Sequence, residues 1–149
     1  METPALDPID ARIVEALERN GRLSMRQLAE RVHVSRANVY ARVERLRGSG
    51  VITGFAAVVD AAARGYATSA YLTLNLRQAD WRDVRKRLHE LPGVEHVALV
   101  GGEFDVVLLV RARDNADLSR LVLDDIQSIP GVLANRTMLV FEESDPRHC

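Results

Sequence analysis

The chain has 149 residues, of which 47% are apolar and 28% charged, and a net charge of −1. That length accommodates one medium domain or two small ones, and the composition is that of a globular protein rather than a disordered one. No run approaches the roughly 18 continuous apolar residues of a membrane span. The start METPALDPID lacks the basic residues and apolar run of a signal peptide, so a cytoplasmic location is expected. Cys149 is the only cysteine, which rules out an intrachain disulfide and argues against a structural thiolate metal site.

The first helix signal is Asp7, Pro8 and Asp10, with proline at the first position and acids near the positive end of the helix dipole. Ile9, Ile13, Val14 and Leu17 give this helix an apolar face, and Asn20-Gly21 stops it. Ser24 and Gln27 are spaced as a capping box, and Leu28, Ala29 and Val32 then stripe one face of a second helix. His33 and Val34 make the turn that follows. The residue leaving a helix often takes a left-handed backbone, where histidine is among the few enriched non-glycine residues. Ser35 caps a third helix, ended by Gly48 and Gly50, whose Val39, Val43 and Leu46 point inward.

Two short capped helices joined by a three-residue turn predict a helix-turn-helix (winged-helix-like) unit. Such a unit lays its second helix in the major groove with the N-terminal residues on base edges. The expected DNA-binding residues are Ser35, Arg36, Ala37, Asn38, Tyr40, Arg42 and Arg45. Arg36 and Asn38 occupy the N-terminal turn and suit guanine and adenine respectively, whereas Arg42 and Arg45 are placed to hold phosphates. Residues 22–50 carry seven arginines and two glutamates, a net of +5, against −1 for the whole chain. An arginine-rich solvated face is the plainer reading of that charge, and the capped helix pair is what favours duplex DNA.

Residues 51–59 read as a strand and 60–65 as an alanine-rich linker, which sets expected boundaries at 1–52, 53–65 and 66–149. Strands are expected over 70–76, 94–100, 105–110 and 132–141. Between them lie one helix, capped by Asp80, with Trp81, Val84, Leu88 and Leu91 buried, and another with Leu118, Leu121, Val122, Ile126 and Ile129. Leu91-Pro92-Gly93-Val94 and Ile129-Pro130-Gly131-Val132 echo one another, each stopping a helix and entering a strand. The fold class is therefore α+β, with a C-terminal ferredoxin-like βαββαβ domain: an antiparallel four-stranded sheet with both helices on one face. The uncovered sheet face predicts a symmetric dimer.

Catalysis is not expected. His33, His89, His96 and His148 are scattered with no metal-ligand spacing, and Gly101-Gly102 is not part of a dinucleotide-binding pattern. No cofactor or metal is implied.

The segments LDPIDARIVEAL, GRLSMRQLAERVHVSRANVYARVERLRGSGVITGF, GEFDVVLLV and PGV, in that order, resemble the Lrp/AsnC transcription regulators, also called feast/famine regulatory proteins. The resemblance covers nearly the whole chain. It implies an N-terminal DNA-binding domain, a hinge strand, and a C-terminal domain that dimerises, assembles to tetramers or octamers, and senses a small molecule, usually an amino acid. It also implies an effector site around Gly102, Glu103, Phe104 and Asp105 with Asn135 and Thr137 from the last strand. Glycine backbone donors could meet a carboxylate there, and Glu103 or Asp105 an ammonium. A plain hairpin turn is the alternative at this loop. Gly101, Phe104 and Asn135 depart from the family's usual Thr, Tyr and Thr, which removes hydroxyl donors. An effector-independent architectural DNA-binding protein is the alternative for the whole chain.

Overall fold

The computed structural model describes residues 6–77 and 80–143. The chain divides into two compact units, Met1–Val58 and Val59–Cys149. His148 and Cys149 lie outside the described residues.

The first unit has three helices: α1 (Pro8–Arg19), α2 (Met25–Val32) and α3 (Arg36–Gly48). Asp7 caps α1 by accepting from the amides of Ile9 at 2.9 Å and Asp10 at 2.8 Å. Both halves of the Ser24–Gln27 capping box are formed, so two orphan amides at the start of α2 are satisfied reciprocally. Ser35 caps α3 through the Asn38 amide at 3.2 Å. His33 leaves α2 at φ 58°, ψ 46°, and is the one non-glycine residue of positive φ among the described residues. That left-handed step redirects the chain from α2 into α3. Ile13, Leu17, Leu28, Val32, Val39, Val43 and Leu46 meet in one core.

The strand expected over residues 51–59 is absent. The first unit has no sheet edge among its described residues, and Phe55 and Val58 are exposed despite their strand-like character.

The second unit contains β1 (Thr68–Leu76), α4 (Trp81–Glu90), β2 (Val94–Leu99), β3 (Val106–Ala112), α5 (Asn115–Arg120) and β4 (Val132–Leu139). The antiparallel sheet runs β2-β3-β1-β4, which is the ferredoxin-like order. Ala70, Leu72, Leu74 and Leu76 of β1 alternate with Val106, Leu108, Val110 and Ala112 of β3 on the helix-covered face, against Val84, Leu88 and Leu118. Asp80 precedes α4 without a side-chain cap, contrary to expectation. The last helix is also not uniform: after α5 the chain continues as a π-helical segment, Leu121–Ile126, still burying Leu121, Val122 and Ile126. Both echoed glycines have positive φ, 89° at Gly93 and 100° at Gly131, as the turn from helix to strand requires. Among the described residues no helix is long and apolar enough to cross a membrane.

Candidate nucleic-acid interface and effector loop

The cap at Ser35 and the buried triplet Val39, Val43 and Leu46 fix which side of α3 faces out. Ser35, Arg36, Ala37, Asn38 and Tyr40 are all exposed, Tyr40 by 58%. They form one polar surface around the first turn of α3, where side chains of the types that read guanine and adenine edges stand without steric cover. Among the described residues no ion pair engages Arg36, whereas Arg26 is tied to Glu30 and Arg47 to Glu44.

Arg42 and Arg45 are placed differently from the sequence expectation. The Arg42 side chain is half-buried: Nη1 donates to Asp7 and, at 2.8 Å, to Asp10 Oδ1, and Nε donates to Asn38 Oδ1 at 2.7 Å. Arg45 donates to the other Asp10 oxygen. Asp10 itself is only 4% exposed. A carboxylate so withdrawn from water requires compensation, and these two guanidinium groups supply it. The arginines expected on phosphates thus clamp α3 to the start of α1. Hydrogen bonds from Arg42 hold the Asp7 carboxyl below its ordinary range, and Asp7 and then Asp10 raise Arg42 in return. The clamp was missed because its acids lie 35 and 32 residues away from Arg42. The available signal was the pair Asp7 and Asp10 on one side of a neighbouring helix.

In the second unit, the loop joining β2 to β3 turns through Gly102 at φ 130°. Asp105 is committed to the fold: its carboxylate accepts from the Leu76 amide at 2.7 Å, and its amide donates to Leu74 O at 3.0 Å. The Glu103 carbonyl accepts from Asn75 Nδ2 at 2.9 Å, and the Glu103 residue is exposed. Phe104 lies under the Arg136 guanidinium, 5.4 Å from ring centroid to Cζ.

The register sets the face of the sheet on which the remaining expected residues lie. Asn135 pairs with Leu74 and Thr137 with Leu72, so both share the helix-covered side of the sheet. Arg136, paired with Thr73, stands on the open side with Phe104. Neighbouring residues of a strand face opposite ways, and Arg136 is the β4 side chain that meets Phe104 of the loop.

The open face carries Tyr71, Val107, Leu109 and Met138 across its middle, with Arg111 and Arg136 toward opposite ends. Thr73 lies among them, 5% exposed, and its hydroxyl has no hydrogen-bond partner within the described chain. Among the described residues no group of three or more His, Cys, Asp or Glu is arranged to hold a metal ion.

Comparison with known proteins places both units. Residues 6–47 match the AsnC-type helix-turn-helix domain and residues 69–148 the Lrp/AsnC ligand binding domain. The chain is 34% identical over 140 residues to the HTH-type transcriptional regulator AldR of Mycolicibacterium smegmatis, covering 92% of this chain and 82% of that protein. It is 31% identical over 137 residues to the HTH-type transcriptional regulator FL11 of Pyrococcus horikoshii, covering 92% and 90%. A solved transcriptional regulator from Neisseria meningitidis, in complex with L-Met, superposes with a TM-score of 0.87 at 26% identity, covering 95% of this chain and 93% of that one. With a helix-turn-helix unit and a ligand-binding unit matched in order along almost its whole length, the chain belongs to the Lrp/AsnC family of transcriptional regulators.

Proposed function

We propose that this protein is a cytoplasmic, sequence-specific regulator that reads duplex DNA as a homodimer, assembling further to a tetramer or octamer, and that an amino acid changes its DNA affinity or oligomeric state. The observation that carries the DNA-reading part is the uncovered first turn of α3, where Arg36 and Asn38 stand beside exposed Tyr40. Ser35 and Ala37 complete that surface by letting the backbone approach. Arg45, at the clamp's exposed rim, is the nearer of the two clamp arginines to phosphate.

The dimer reading is supported by the open sheet face, with Tyr71 38% and Met138 46% exposed beside the unpartnered Thr73 hydroxyl. A second copy of that face would remove this apolar surface from water and can offer Thr73 a partner.

The effector reading keeps Gly102, Glu103 and Phe104 and adds Arg136. Arg136 suits a carboxylate and the exposed Glu103 an ammonium, the two charges every amino acid presents. The L-Met bound by the Neisseria meningitidis neighbour supports the same ligand class. One observation favours the alternative of an effector-independent architectural protein: Asp105 has a structural role in the fold, one of its carboxylate oxygens accepting from the Leu76 amide. A duplex selected from a random pool, titrated with protein in the presence of each of the twenty amino acids at millimolar concentration, separates the two. The sensor reading requires that at least one amino acid shift the binding midpoint or the mass of the complex. No shift with any of them leaves the architectural reading.

A further inference from the structure

We propose that Asp10 and Arg42 are specificity-determining positioning residues: a relay that fixes the Asn38 amide for reading adenine while withholding arginine charge from the DNA backbone. This rests on the assignment of α3 as the reading helix.

The argument starts at Asn38. An asparagine amide has two nearly isosteric ends, and a solvent-exposed one turns freely between them. Arg42 removes that freedom. Arginine can only donate, so the atom 2.7 Å from its Nε must be the Asn38 carbonyl oxygen. The amide nitrogen and the second lone pair of Oδ1 are then left for a ligand. A donor beside an acceptor is the pattern that complements adenine, whose N7 accepts and whose N6 donates in the major groove.

Arg42 is itself immobilised from behind. Its Nη1 is shared between Asp7 and Asp10, and the buried Asp10 carboxylate is closed off on its other oxygen by Arg45. Asp10 therefore acts on a base edge through Arg42 and Asn38 without touching DNA. The same bonds set two arginines of α3 against two acids of α1, which lowers the positive charge this part of the helix offers to phosphate. A clamp of this kind trades general affinity for discrimination.

The test uses full-length protein and a duplex selected from a random pool, together with variants of the adenine position that Asn38→Ala shows to be read and a scrambled duplex. Asp10→Asn keeps the shape of the side chain and removes its charge. It is expected to lower discrimination at the adenine about fivefold or more, while steepening the salt dependence on scrambled DNA by about one unit of slope as an arginine is set free. A purely structural role for Asp10 would weaken binding to both duplexes and leave the slope unchanged. Arg42→Lys retains the charge and loses the planar Nε donor, so it should lose discrimination at the same position with an unchanged slope. Added to Asn38→Ala, it should have no further effect there. If Asp10→Asn does not fold, Arg42→Lys decides alone. Discrimination that Asn38→Ala abolishes but Asp10→Asn and Arg42→Lys both leave intact overturns the relay. A selected duplex whose preference survives Asn38→Ala at every position refutes Asn38 as the reader, a different failure.

Discussion

Replacing Gly93 with alanine is expected to destabilise the sheet-bearing unit by about 2–5 kcal/mol. Gly93 sits at φ 89°, and a Cβ there would lie 2.4 Å from the Arg111 carbonyl oxygen, which belongs to β3 and cannot rotate away. The backbone conformation alone costs an L-residue roughly 1–2 kcal/mol, and displacing a packed strand adds about 1–3 kcal/mol. The hydrogen bond from the Arg111 amide to Gly93 O, 2.7 Å long, is the first contact the displacement would stretch. Gly102 and Gly101 calibrate the estimate. Gly102 has φ 130° with open space around its Cβ position, so alanine there meets backbone strain without a clash. At Gly101 neither term applies, and alanine should be close to neutral. Trp81 is the sole tryptophan and packs against the core of this unit, so its fluorescence follows the unfolding of this unit in the intact chain. For a domain of this size each kcal/mol moves the melting temperature by about 4–8 °C. Gly93→Ala should therefore melt at least roughly 8 °C lower, with Gly102→Ala between it and wild type. Equal melting temperatures for Gly93→Ala and Gly101→Ala would refute the reasoning.

In the helical unit, Ser35→Ala removes the cap of α3 and should cost about 1 kcal/mol, read as a lower urea midpoint by circular dichroism; an unchanged midpoint would remove the cap from the account. The Asp7 carboxyl is held below its ordinary value of 3.8 chiefly by the Arg42 hydrogen bond. A depressed acid stabilises the fold above its unfolded value and loses that contribution as pH falls through the folded one, so wild type should lose stability below about pH 4 through Asp7. Asp7→Asn should flatten that part of the acid limb, and an identical limb in the variant would contradict it. On the open sheet face, Tyr71→Glu sets like charges against each other in a symmetric pair and should shift the protein toward monomer at micromolar concentration. Light scattering that returns the wild-type mass would exclude that face as the dimer contact.

The features carried by local backbone chemistry were legible in the sequence. Caps at Asp7, Ser24 and Ser35 act within three residues, and the left-handed turn at His33 follows from where α2 must end. The strand spans expected over 70–76 and 105–110 and the glycine echo at Gly93 and Gly131 located the sheet. What escaped depends on partners distant in sequence. Residues 51–59 have strand-forming side chains and pair with no strand among the described residues. The charge pattern of α3 suggests free arginines because Asp7 and Asp10 come alongside only when α1 packs. In β4, the register shift near Leu76 and Val132 decides which residues face the loop, placing Arg136 rather than Asn135 and Thr137 beside Phe104. The π-helical segment buries the same residues that an α-helix would, so apolar spacing cannot distinguish them.

The central claim is that the first turn of α3 reads base edges, and the ratio of affinities for a selected and a scrambled duplex at fixed salt measures it most directly. Arg36 is exposed and held by no ion pair among the described residues, so Arg36→Ala disturbs no packing. Loss of one bidentate base contact should lower the ratio by about 1–3 kcal/mol, roughly 5- to 150-fold, with little change on the scrambled duplex. A ratio equal to that of wild type would contradict the account.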